Sequence, residues 1–135
     1  MNRKVVFMLV VAVAMFAYLF FANGQGASAD GGNCVVGSKE VKVSSQAEIQ
    51  LIDVRTPGEY NSGHVEGAKN IDIYSPTFQE QITLLDKSKS YYVYCKTGGR
   101  SAKAQKLMKE MGFTKVCNVN GGVMKLQGDG VKLVK

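Results

Sequence analysis

The stretch Tyr94-Cys95-Lys96-Thr97-Gly98-Gly99-Arg100-Ser101 sets a thiol at the head of a glycine-rich turn, with two cations within the next five residues. A cysteine so placed can be a buried core residue, a metal ligand, a disulfide partner or a nucleophile. Metal binding fits poorly, because the three cysteines are widely separated, no Cys-x-x-Cys occurs and there is a single histidine. A cysteine that only packs needs neither the glycines nor the cations. Gly98 and Gly99 let the backbone curl so that successive N–H groups point inward, and such a nest stabilises an anion. That anion can be a substrate, or it can be the Cys95 thiolate itself. The ordinary thiol pKa of roughly 8.5 would then fall beside these donors, Lys96 and Arg100.

Such a loop needs a strand to deliver it and a helix to receive it. Tyr91-Tyr92-Val93-Tyr94 reads as a buried strand running into Cys95, while Ala104, Leu107, Met108 and Met111 recur at helical spacing with Gly112 placed to cap the end. Gln50 to Val54 reads as a second strand stopping at a Thr56-Pro57-Gly58 turn, and Glu40 to Val43 and Lys69 to Ile73 read as short strands. Pro76 can open a helix whose face carries Phe78, Ile82 and Leu85; Val116 to Val119 reads as the last strand, followed by a Gly121-Gly122 turn and a polar tail. Strands alternating with helices predict an α/β domain built on a small, mainly parallel sheet flanked by helices. Cys95 then lies at the carboxyl edge of that sheet, where ligands bind in open α/β folds.

The N-terminus predicts export. Residues 5–22 are apolar without a break behind Asn2-Arg3-Lys4, and Ala27-Ser28-Ala29 supplies a small-x-small cleavage pattern. Residues 1–29 are expected to be a signal peptide, with Asp30 as the first mature residue. The alternative is an uncleaved membrane anchor, since the apolar run is just long enough to span a bilayer. Either places the rest outside the cytoplasm, periplasmic or otherwise extracytoplasmic, with residues 30–38 as a flexible lead-in and 39–135 as the domain. The chain carries 17 basic and 11 acidic residues, and loss of Arg3 and Lys4 lowers its net charge from +6 to +4. Lys103, Lys106 and Lys109 recur at the outward spacing of an amphipathic helix, not as the aromatic-interleaved stripe that nucleic acid requires. An oxidising compartment also favours pairing of thiols. If Cys34 and Cys117 meet, their bridge would tie down the lead-in and leave Cys95 as the free thiol; spacing alone leaves that approach undecided.

The chain resembles the rhodanese-like family of sulfurtransferases. The resemblance rests on Asp53-Val54-Arg55 with Glu59-Tyr60, on Gly63-His64-Val65-Glu66-Gly67-Ala68 before Asn70-Ile71, on Cys95 to Ser101, on Gly112-Phe113 and on Asn120-Gly121-Gly122-Val123, in that order. It implies that Cys95 carries a sulfur atom as a persulfide, and that Lys96, Thr97, Gly98, Gly99 and Arg100 form the anion-binding loop, without metal or cofactor. Asp53, Arg55 and Glu59 are implied to be a structural ion-pair and turn network beside the site, with His64 a hydrogen-bonded turn residue. Two departures concern packing: the helix after the first strand is expected to be shortened, and Leu126 stands near the position of a tryptophan often seen after the double glycine.

Four residues separate Cys95 from Arg100, one fewer than in the loops of cysteine-dependent phosphatases. The tighter loop suits a sulfane sulfur better than a phosphoryl group, so phosphatase or arsenate reductase activity stands third. The first expectation is a thiosulfate sulfurtransferase (a rhodanese) that uses thiosulfate or a similar anionic donor and passes the sulfur to a thiophilic acceptor. That acceptor is cyanide in vitro or a thiol in the cell, with an exported thiol reductant as partner. The alternative is a non-enzymatic rhodanese-like module that carries sulfur or binds a partner. The domain is expected to be monomeric.

Overall fold

The computed structural model describes residues 33–44 and 48–135. The expected signal peptide and the start at Asp30 lie outside them. Five parallel strands form the central sheet in the order β1-β6-β5-β2-β4: β1 (Val35–Val36), β2 (Gln50–Asp53), β4 (Lys69–Asn70), β5 (Tyr91–Tyr94) and β6 (Val116–Val119). Parallel neighbours cannot be joined by tight turns, so the connections carry helices: α1 (Ser38–Val43), α2 (Pro57–Ser62), α3 (Phe78–Thr83), α4 (Gly99–Glu110) and, beyond β6, α5 (Gly122–Gly128). A two-stranded antiparallel ribbon, β3 (His64–Val65) with β7 (Leu133–Val134), completes the fold.

Side-chain alternation along the strands divides the core between the two faces of the sheet. Ile52, Tyr91, Val93 and Val116 join Ile71, Phe78, Ile82, Ala104, Met108 and Phe113 on one face. Leu51, Tyr94 and Val119 join Val41, Val65, Ala68, Val123 and Leu126 on the other. Helix α4 buries Ala104 and Met108 as its periodicity predicts, with Lys103 and Lys106 exposed.

Several local expectations need correction. Glu40 to Val43 is not an edge strand but most of α1: the Glu40 carboxylate accepts the Gly37 N–H at 2.9 Å, and Val41 is buried while Val43 is 50% exposed. Two valines two residues apart share a face of a strand but not of a helix. The edge strand is instead Val35–Val36, so the segment read as a flexible lead-in pairs with β6, and the helix after this strand is α1, of six residues. Thr56-Pro57-Gly58 is no simple turn, because Thr56 caps α2, with Pro57 in its first turn and Glu59 closing a capping box. The expected strand over Lys69 to Ile73 is confined to β4. The tail after Gly121-Gly122 is not a polar coil either: α5 buries Val123 and Leu126, and Leu126 fills core space near the place where the family often carries tryptophan.

Cys34 and Cys117 are joined in a disulfide between β6 and the residue preceding β1, with α-carbons 4.6 Å apart. The Cys34 carbonyl also accepts the N–H of Asn118 at 2.9 Å and Nε2 of the buried Gln105 at 2.8 Å. The short first strand is therefore held to both β6 and α4. Cys95 is the free cysteine among the described residues.

Candidate active site

Strand β5, central in the sheet, delivers Cys95 to its carboxyl edge with the residue 1% exposed. The chain then reverses through Lys96, Thr97 and Gly98 into α4. Gly98 caps that helix at φ 110°, in the left-handed region where a side chain would be strained. This curl aims donors at the sulfur: the Gly98 N–H donates to Cys95 Sγ at 3.1 Å, and the Ser101 hydroxyl lies 3.4 Å from it. Burial pushes the thiol pKa up. Hydrogen bonds from the Ser101 hydroxyl and from the N–H groups of Ser101, Gly98 and Thr97 outweigh burial, and the net shift is downward from the ordinary thiol value.

A second wall braces the loop from the end of β6. The first N–H groups of α5 have no intrahelical partner, and they go to the loop: Val123 N–H donates to the Cys95 carbonyl at 2.8 Å and Met124 N–H to the Lys96 carbonyl at 3.1 Å. That approach requires Gly122, where a Cβ would stand 2.5 Å from the Cys95 oxygen and from the Lys96 carbonyl group. Close backbone contact thus accounts for Gly122, while Gly121 caps the helix in the left-handed region at φ 72°.

Arg100 is bound to Glu59 by a fork of two bonds, Nη1 to Oε2 at 2.8 Å and Nη2 to Oε1 at 2.9 Å. The bidentate Arg100 bond is the main cause holding the Glu59 carboxyl down at about 2, with the Thr56 N–H and hydroxyl adding to it. The same bond raises the Arg100 pKa above its ordinary value. Three of the five guanidinium N–H groups stay outside this fork. Arg100 also lies 5.8 Å from the Tyr74 ring centroid. Tyr74, Pro76, Gln79, Gly99, Arg100 and Lys103 help line a cavity of about 520 Å³ beside the loop. Lys96, Thr97 and Gly99 are exposed.

The remaining expected residues lie behind this site. Arg55 and Asp53 form a buried ion pair at 2.6 Å, and Arg55 also donates to the Gly63 carbonyl at 2.7 Å. His64 Nδ1 is 3.0 Å from the Tyr60 carbonyl, and its ring stacks on Tyr60 with centroids 3.7 Å apart. Glu59 departs from this group, since its carboxylate reaches across to the loop arginine. Sequence reasoning passes over Ser101 as a donor to sulfur and Asn118 behind it. The signals are a hydroxyl in the first turn of the receiving helix and an asparagine within a buried strand.

The rhodanese-like domain family matches residues 39–129. YqhL of Bacillus subtilis is 35% identical over 81 residues, 60% of this chain, and the chain spans 63% of that protein's length. Thiosulfate sulfurtransferase PspE of Escherichia coli is 39% identical over 70 residues, 52% of this chain and 67% of that protein. The crystal structure of a rhodanese-related protein from Thermoplasma volcanium superposes with a TM-score of 0.68 at 27% identity, covering 75% of this chain and 97% of that one. The chain belongs to the rhodanese-like domain family.

Proposed function

We propose that the chain is a sulfurtransferase that takes a sulfane sulfur from thiosulfate or a similar donor onto Cys95 and passes it to a thiophilic acceptor. One observation carries the reading: hydrogen-bond donors converge on a buried sulfur at 3.1 and 3.4 Å inside a loop with four residues between cysteine and arginine. Donors so placed stabilise negative charge on that sulfur, both when it attacks and when it leaves. The likeness to PspE, named a thiosulfate sulfurtransferase, supports the same chemistry.

In the first displacement the Cys95 thiolate attacks the outer sulfur of thiosulfate. A new S–S bond forms, the bond within thiosulfate breaks, and sulfite leaves with its electron pair. Lys96 and the N–H groups of Arg100 outside the Glu59 fork receive the sulfonate oxygens. In the second displacement an acceptor thiolate or cyanide attacks the outer sulfur, and Cys95 departs as thiolate. We also propose that residues 1–29 direct export. The Cys34–Cys117 disulfide supports an oxidising compartment for the domain.

Intact-protein mass spectrometry tests the chemistry. Thiosulfate is expected to add one sulfur atom, cyanide to remove it, and Cys95→Ser to abolish both while the fold survives. A wild-type mass unchanged by sulfane donors would instead favour a partner-binding module. N-terminal sequencing of exported protein is expected to begin at Asp30; Met1 from a membrane fraction would favour the uncleaved anchor.

A further inference from the structure

Asn118 is a polar residue within β6, between β1 and β5, and its backbone is held on both sides by pairing with Val35 and Val93. Its side chain reaches the Cys95 loop at two points. Nδ2 donates to the Gly98 carbonyl at 3.2 Å, and Oδ1 lies 2.6 Å from the Ser101 hydroxyl. Those contacts decide which way the amide faces: turned over, it would set its oxygen against the Gly98 carbonyl, two acceptors together. The oxygen therefore faces Ser101 and accepts its proton.

Ser101 has one hydroxyl proton and three acceptors in reach: Asn118 Oδ1 at 2.6 Å, the Gly98 carbonyl at 3.2 Å and Cys95 Sγ at 3.4 Å. While Cys95 is uncharged, the short bond to Asn118 is the best of the three. A thiolate changes the order, because hydrogen bonds to an ionised acceptor are the stronger ones. We propose that Asn118 is a positioning residue that acts on Cys95 through Ser101, holding the hydroxyl proton on its own amide oxygen while the sulfur is uncharged and releasing it when negative charge develops there. In the second displacement of the sulfur-transfer reading, on which this use rests, the acceptor thiolate bonds to the outer sulfur, the Cys95 S–S bond breaks and its electron pair stays on Sγ. Ser101 keeps its proton and only turns it toward the departing thiolate.

The test is the pH dependence of Cys95 alkylation by iodoacetamide, a neutral reagent, in protein whose disulfide occupies the other two cysteines. The elements around the loop carry Arg100, Lys103, Lys106, Lys109 and Glu110 on α4, Glu59 on α2, Asp53 at the end of β2 with Arg55 just beyond it, Lys125 on α5 and the loop's own Lys96, all unaltered in the variants. Asn118→Ala frees the hydroxyl for sulfur and is expected to lower the alkylation midpoint by about half a pH unit. Asn118→Asp holds the proton on a carboxylate and adds negative charge, so its midpoint is expected to rise. In a Ser101→Ala background, Asn118→Ala is expected to shift nothing. A rise in both single variants, or an equal shift with and without Ser101, would mean that Asn118 only packs and would overturn the proposal. Should Asn118→Ala fail to fold, Asn118→Asp decides, and an unchanged midpoint overturns it. Alkylation needs no sulfur donor, so normal alkylation shifts without persulfide formation would sink the sulfur-transfer reading and leave the Asn118 role standing.

Discussion

Replacing Cys34 and Cys117 together by alanine removes a cross-link between residues 83 positions apart. In the chain-entropy account, closing a loop of that length in the unfolded state is worth about 4.5 kcal/mol at room temperature. Loss of the bridge also loosens β1, a strand of two residues, and the Cys34 carbonyl before it, which accepts from Asn118 and Gln105. For a domain of roughly 100 residues, a loss of that size lowers the melting temperature by about 20–30 °C. The measurement is urea unfolding of oxidised wild type, reduced wild type and the double alanine variant, followed by circular dichroism. Reduced wild type and the variant are expected to share a midpoint well below that of the oxidised protein, and reductant is expected to leave the variant unchanged. A steeper denaturant slope is also expected without the cross-link, because the freed unfolded chain exposes more surface. If the variant unfolds with the oxidised wild type, the bridge constrains nothing and the reasoning fails.

Glu59→Gln breaks the charge pair with Arg100. Because the folded carboxyl sits at about 2, below its ordinary 4.5, its contribution is present above pH 4.5 and fades as pH falls toward 2. The variant is therefore expected to be less stable at neutral pH but to lose less than wild type in that acid window, as measured by thermal melts across pH. Ser101→Ala removes a donor that lowers the Cys95 pKa, so the midpoint for alkylation of Cys95 is expected to move up; an unmoved midpoint would refute the hydroxyl's role. Gly122→Ala forces a Cβ to 2.5 Å from the Cys95 carbonyl oxygen at φ 60° and is expected to destabilise the domain by about 2 kcal/mol or more in urea unfolding. Wild-type stability in that variant would mean that the two backbones can part without cost.

The Cys95 loop is legible because its signals are local: a buried strand, a thiol, two glycines and a helical repeat lie within twenty residues. Helix α1 misleads because Val41 and Val43, spaced by two between charged residues, imitate strand alternation, while the feature that settles it is a carboxylate folding back onto its own helix start. Helix α5 is obscure because only Val123 and Leu126 are large apolar residues buried there, between two glycines and a polar end. The Arg100–Glu59 fork joins residues 41 apart, and Ser101 meets Asn118 across 17; neither pairing follows from spacing on one element. Tertiary approach decides both, and it depends on β2, β5 and β6 being neighbours in the sheet.

The two carbonyls that receive the start of α5 also dictate what the opposite side of the loop can do. A trans peptide is flat, with its oxygen and its hydrogen on opposite edges. Once the Lys96 carbonyl is turned outward to Met124, the N–H of the same peptide, which belongs to Thr97, must face the other way. That N–H is one of the groups that lower the Cys95 pKa. The peptide is polarised like a small bar magnet, its negative pole clamped by the last helix and its positive pole left for the sulfur. A chain with the same Cys95 loop but no close-fitting helix behind it would lack that clamp and be free to rotate this plane. Its cysteine would then keep the residue types of a reactive site without the field that makes one.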